Sequence, residues 1–220
     1  MNWLQLRCHL TNAQKAWAIS QWHVDSLLAN ITVKASQLKA DGSSPRPDLA
    51  YLGLCRLFTT VLALHRPKIG GRYHLVLPAL QSLLRCLFIP YDLTPDSERN
   101  PHEFTPVQAS SYARLLSTLA DPTVSSVTNS KKRARLDLND ETKKAKSIAG
   151  QHLPYLIMEY CMYQLTGRLL PEMKAALEPG IYAVLNVMTK EGMRTMNAAL
   201  DESGRAVWKG LYEEWRRFGG

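Results

Sequence analysis

Cysteine is scarce in this chain, and its scarcity excludes a disulfide-stapled fold. Cys8, Cys55, Cys86 and Cys161 lie far apart, with no C-x-x-C pair and no histidine at zinc-ligand spacing. A reduced, intracellular protein is expected, in which thiols serve as small hydrophobes. Long apolar runs are also missing. Trp3, Gln5, Arg7, His9 and Asn12 interrupt the N-terminus, which therefore lacks the apolar core of a secretory signal. The stretches Leu75 to Ile89 and Leu153 to Leu165 are broken by Gln81, Arg85, Glu159 and Gln164 and fall short of a membrane span. No export and no membrane partner are expected.

Alternating apolar and polar residues are absent too, as is any Asn-Gly hairpin, so strands find no support in the sequence. The six histidines, His9, His23, His65, His74, His102 and His152, form no H-x-x-x-H pair and adjoin no nucleophile motif. Catalysis, a metal centre, a cofactor and a small-molecule substrate are therefore not expected; the reading is of a protein that is not an enzyme.

What the chain does have is helical periodicity and positive charge. Hydrophobic residues make up 45% and charged residues 21%, an ordinary globular balance, so most of the chain is expected to fold. The net charge of +8 attracts polyanions at long range, RNA and DNA foremost.

Trp17, Val24, Leu28 and Ile31 begin a long helical segment that ends near Lys39. The Pro- and Gly-punctuated loop 41–47 follows, with Asp48 placed to cap a second helix whose stripe is Leu54, Leu57, Phe58, Val61 and Leu62. Pro67 stops it. After Lys68-Ile69-Gly70-Gly71, a third helix runs to about Ile89 through Leu80, Leu83, Leu84 and Leu87, with Pro78 either kinking it or marking its start. Prolines 90, 95, 101 and 106 describe an extended connection. Thr105-Pro106-Val107-Gln108 then spells a capping box that opens a fourth helix carrying Tyr112, Leu115, Leu116 and Leu119.

Residues 121–150 hold few large apolar groups at high charge density and read as a disordered basic linker. Beyond them four short helices are expected: about 152–170, one opening at Pro171, one introduced by Pro179-Gly180 with Ile181, Val184, Leu185 and Met188, and a last one from about Glu202 with Trp208, Leu211, Tyr212 and Trp215. Gly192 interrupts the chain before the last of these. Short turns imply antiparallel neighbours. The expected fold is all-α, an irregular array of antiparallel helix pairs compatible with the end of a HEAT or armadillo solenoid. Its parts are an N-terminal helical segment, 1–120, the linker, 121–150, and a C-terminal helical domain, 151–220.

Two basic features stand out. Lys131, Lys132, Arg133 and Arg135, followed after seven residues by Lys143, Lys144 and Lys146, have the shape of a bipartite nuclear-localisation signal, a ligand for a nuclear import receptor. A solvated charge run and RNA adhesion through counterion release are the competing readings. At the turn Lys68, Gly70, Gly71 and Arg72, glycine amides, two cations and a helix N-terminus coincide, a candidate RNA-phosphate cradle set against a plain turn that uses glycine for positive φ.

Finally, Leu153-Pro154-Tyr155-Leu156-Ile157-Met158-Glu159-Tyr160-Cys161, Pro179-Gly180-Ile181-Tyr182, Leu200-Asp201-Glu202-Ser203-Gly204-Arg205, Lys209-Gly210-Leu211-Tyr212-Glu213-Glu214-Trp215 and Phe218-Gly219 occur in that order. In this they resemble the C-terminal domain of the unhealthy ribosome biogenesis protein two family, also called nucleolar pre-ribosomal-associated protein two. The likeness is best over 151–219 and weaker over 51–119. It implies a nucleolar, non-catalytic helical scaffold of early large-subunit ribosome assembly and pre-rRNA processing. The partners it implies are other assembly factors, namely a sister helical-repeat protein and a DEAD-box RNA helicase, with pre-ribosomal RNA nearby. Family members are longer, so the chain is expected to be a tail portion of such a protein. Gly180, Tyr182, Arg194, Asp201, Arg205, Tyr212 and Phe218 are the motif positions that transfer, with Trp215 beside them as an interaction candidate. Arg194 and Arg205 are expected to bridge helices by pairing with Asp201, Glu202 or Glu191.

Overall fold

Apolar residues three and four apart become helices through most of the chain. A computed structural model describes residues 19–40, 46–91, 104–121 and 135–219, the side chains of 39, 40 and 135–142 excepted. Helix α1 (Gln21–Ala40) buries Val24, Leu28 and Ile31. Helix α2 (Pro47–His65) opens with proline at its first turn and buries the expected stripe. Asp48 does not cap it. That carboxylate lies one residue inside the helix and pairs with Arg46 at 3.1 Å.

The segment Pro47–Ile69 is long and apolar enough to span a membrane by length and composition, a stretch longer than the two singled out from the sequence. Here Tyr51, Phe58, Val61 and Leu62 are fully buried in the core.

A 3-10 turn (Arg66–Lys68) leads to α3 (Tyr73–Cys86), which carries Pro78 inside it rather than starting there. Strand β1 (Ile89–Pro90) follows, then α4 (Pro106–Ala120). As the capping box requires, Gln108 reaches back to the Thr105 amide, which donates to its Oε1 at 2.9 Å. The rest of the chain is α5 (Arg135–His152), α6 (Pro154–Thr166), β2 (Gly167–Arg168), α7 (Pro171–Val187), α8 (Lys190–Ala199) and α9 (Glu202–Phe218). The two strands pair antiparallel over only two residues each, Ile89 opposite Arg168 and Pro90 opposite Gly167.

Packing follows the expected pairing of consecutive helices at α1 and α2 and goes beyond it elsewhere. Among the described residues the most extensive contacts join α4 to α7, α1 to α3 and α2 to α4, with α3 on α6 and α6 on α9 completing the series. Helices two or three apart in the chain are therefore neighbours, in the sequences α1–α3–α6–α9 and α2–α4–α7. Helices α2 and α4 run parallel: Gln108 approaches the Asp48 carbonyl near one end, and Arg66 donates to the Thr118 and Leu119 carbonyls near the other.

Two buried tyrosines tie one series to the other. Tyr51 of α2 and Tyr112 of α4 donate to the Leu83 and Leu80 carbonyls of α3 at 3.2 and 2.8 Å. Burial lifts both phenols well above the ordinary tyrosine range, so each stays a donor.

One hydrophobic core runs through the whole array and joins the helices on either side of residues 121–150. Its most extensive seam depends on Gly180. A Cβ there would lie 2.5 Å from the Ala113 Cα and 2.7 Å from its carbonyl oxygen, so only glycine lets α7 approach α4 this closely. Gly180 was expected to open a new helix after Pro179; α7 instead runs unbroken from Pro171 to Val187 with both residues inside it. Pro179 is exposed, and so is Ala175, whose carbonyl loses its helical donor to the proline ring.

The expected disorder of residues 121–150 is likewise overturned from Arg135 onward, where α5 forms. Its C-terminal turns are held by packing: Ala149 is fully buried, and a Cβ on Gly150 would collide with the Val187 carbonyl oxygen of α7. Lys146 pairs with Asp121 at the end of α4, 3.5 Å away. The remainder of the linker, 122–134, lies outside the described residues.

Candidate interaction surfaces

The 68–72 turn was the first candidate for an anion cradle, and the structure turns its cations inward. Lys68 Nζ donates to the Ile19 carbonyl, while the Lys68 carbonyl accepts from Gln21 Nε2 at 3.0 Å. Arg72 Nε pairs with Asp25 at 3.0 Å. Both side chains thus hold the start of α1. Neither Gly70 nor Gly71 has a positive φ, and a Cβ at either would meet open space, so the turn does not require glycine as expected.

The two basic clusters fare differently. Lys131, Lys132 and Arg133 lie outside the described residues, and Arg135 begins α5. Lys143 and Lys144 are exposed on that helix, whereas Lys146 is half-buried against Asp121. The second cluster is therefore helical and partly engaged, not extended.

The family-motif residues gather in α7, α8 and α9, where their work is chiefly architectural. Asp201 caps α9, accepting from the Gly204 amide at 2.7 Å. Arg205 donates to the Leu200 carbonyl at the end of α8, 3.1 Å away, and closes that helix from the next one. It was expected to pair with Asp201, Glu202 or Glu191. Arg194 does meet Glu191, but at 3.9 Å within one helix and in full solvent, so it bridges nothing.

Trp208 and Leu211 are buried, and Tyr212 packs between Trp208 and Trp215, with ring centroids 5.5 and 5.4 Å away. Trp215 Nε1 donates to Asn186 of α7 at 2.9 Å, and the Tyr182 ring covers Gly219. The stripe ends there: Phe218, a motif position, is 79% exposed.

Sequence reading missed several residues that hold this region. Lys174 of α7 ties to Glu214 of α9 at 3.3 Å, Asn186 takes both Trp215 and the Gly219 carbonyl, and Ala113 receives Gly180. Only Lys174 left a local trace, Glu178 four residues on and 3.9 Å away. The others depend on which helices meet.

Ionisable groups inside the fold are tuned by burial. It pushes the Cys55 and Cys161 thiols up to about 12, which leaves them inert at neutral pH. Cys86 is a buried thiol as well, donating to the Ala35 and Ser82 carbonyls, and Cys8 lies outside the described residues. His65 is 3% exposed, its Nε2 lacks a hydrogen-bond partner among the described residues, and burial, then Lys68, holds its pKa below the usual histidine value. No group of three or more metal-ligating side chains occurs among the described residues.

Comparison with known proteins found one family. The model of the Urb2/Npa2 family matches residues 4–219, nearly the whole chain, and the chain belongs to that family of ribosome biogenesis factors, which are not known as enzymes. No curated protein and no solved structure matched it.

Proposed function

We propose that this member of the Urb2/Npa2 family is a non-catalytic helical scaffold of early large-subunit ribosome assembly and pre-rRNA processing, working in the nucleolus. The observation that carries the reading is the family match across residues 4–219. The continuous core supports it: helices on both sides of residues 121–150 are held in one body that offers partners a fixed surface. Its partners in this reading are other assembly factors, a sister helical-repeat protein and a DEAD-box RNA helicase among them.

Nuclear entry in this reading uses Lys131, Lys132, Arg133, Arg135, Lys143, Lys144 and Lys146 as a bipartite signal. A receptor that takes extended chain must then unwind the start of α5 and draw Lys146 from Asp121. Direct RNA contact is the second reading. The exposed Lys143 and Lys144 favour the basic segment for it over Lys68, Gly70, Gly71 and Arg72, whose two cations are engaged within the protein.

The test is affinity purification of the tagged chain. Early large-subunit precursors, with a helical-repeat factor and a helicase, are the expected catch. Recovery of neither pre-ribosomal RNA nor assembly factors refutes the scaffold reading.

A further inference from the structure

The described cations fall into two groups, those engaged within the fold and those left in solvent, and α9 carries a row of the second kind. Arg46, Arg72, Lys146 and Lys174 face carboxylates, and Lys68 and Arg66 face backbone carbonyls. Lys209, Arg216 and Arg217 have no such partner among the described residues, and all three are exposed. Arg205 spends one of its five donors on the Leu200 carbonyl and is otherwise open.

Helix geometry puts Arg205, Lys209 and Arg216 within an arc of about 40° and along about 16 Å of the helix. The stripe runs beside Tyr212 and faces away from the buried side of α9. Trp208 and Leu211 are buried, and Trp215 and Glu214 reach α7 through Asn186 and Lys174. In the series α1–α3–α6–α9 this helix comes last, so its free side borders no further helix of the described array. Glu202 and Glu213 border the stripe on one side and confine it to a single row.

A bland capping helix needs only a polar outer face. Three cations in a row, none held in an ion pair among the described residues and with Glu202 and Glu213 along one edge only, go beyond that, and they complement a chain of phosphates rather than a broad acidic surface. We infer that the outward face of α9 binds the phosphodiester backbone of RNA without reading its sequence, through Arg205, Lys209 and Arg216. This rests on the assignment to ribosome biogenesis for its choice of polyanion, and it adds a site that the basic segment and the 68–72 turn do not include.

The test uses the full chain and a fluorescein-labelled 20-nucleotide oligouridine, read by anisotropy over a salt series. Lys209→Gln with Arg216→Gln is expected to weaken binding about tenfold and to flatten the slope of log affinity against log salt by about 1.4, two cations at about 0.7 each. Lys209→Arg with Arg216→Lys keeps the charge and restores both. An unchanged affinity in the Gln pair, with loss instead in Lys143→Gln with Lys144→Gln, overturns the site but leaves RNA binding in place. No binding by the wild-type chain overturns both RNA readings. Displacement by polyglutamate at the charge concentration at which unlabelled RNA displaces overturns the choice of RNA, because the stripe then takes any polyanion. The affinity purification described above fails or succeeds independently of these outcomes.

Discussion

The cations around α2 and those on α9 are put to opposite uses. Arg66, Lys68 and Arg72 turn inward, one to the end of α4 and two to the start of α1, where they replace contacts that apolar side chains cannot make. Lys209 and Arg216 turn outward and hold nothing in place. Residue type alone does not separate the two groups. What separates them is whether orphan carbonyls or a carboxylate from another helix lie within reach, which is a property of packing.

Inward and outward cations can differ in this way only within one body, and that body is most vulnerable at the seam between α4 and α7. Gly180→Leu is expected to cost about 3 kcal/mol or to prevent folding, because its side chain meets the Ala113 backbone. Urea melts followed by circular dichroism measure this, and a near-wild-type midpoint contradicts the seam. Next, Arg66→Met should destabilise by about 2 kcal/mol, the worth of a charged donor facing two carbonyls that are then left without it. Were it neutral in the same melts, the inward cations would be ornamental. Tyr112→Phe removes a single neutral hydrogen bond to Leu80 and is expected to cost about 1 kcal/mol.

A smaller effect involves pH. His65 is held below its ordinary value of 6.5 in the folded state, so its contribution is fully present above that pH and is lost as pH falls through the lowered value. Melting temperature should drop between pH 7.5 and 5, and the drop should shrink in His65→Phe; equal drops in both proteins count against the buried imidazole. Smallest of all, Lys209→Gln with Arg216→Gln should change stability by no more than about 0.5 kcal/mol. A larger loss means that the outward cations are structural after all, and the contrast with Arg66 disappears.

Much of the architecture was readable beforehand where one face of one helix decides the outcome. The stripes of α2 and α4, the capping box at Thr105 and the aromatic core of α9 all follow from local spacing. The failures share a cause. Pro179-Gly180 carries the local signature of a break, yet the pair sits inside α7 because Gly180 is needed against Ala113, a requirement set sixty-seven positions away. Composition makes residues 135–150 look unable to repay ordering, but burial of a few residues at the far end, Ala149 and Gly150 among them, supports a helix whose other turns remain polar. Of the candidate surfaces, sequence found the cations and not their employment. Lys68 and Arg72 looked available because Asp25 and Ile19 lie more than forty residues earlier.

The glycine-to-alanine crossing has a practical corollary for anyone working with pieces of this protein. The family match spans residues 4–219, and within the piece 151–220 α7 is an interlocking half whose mate, α4, is encoded upstream. Expressed alone, that piece displays a bare strip of Leu177, Ile181 and Val184 and is expected to self-associate. A chain severed by an engineered protease site near residue 128, by contrast, should travel as a single particle on a sizing column, its two fragments zipped along the same crossing.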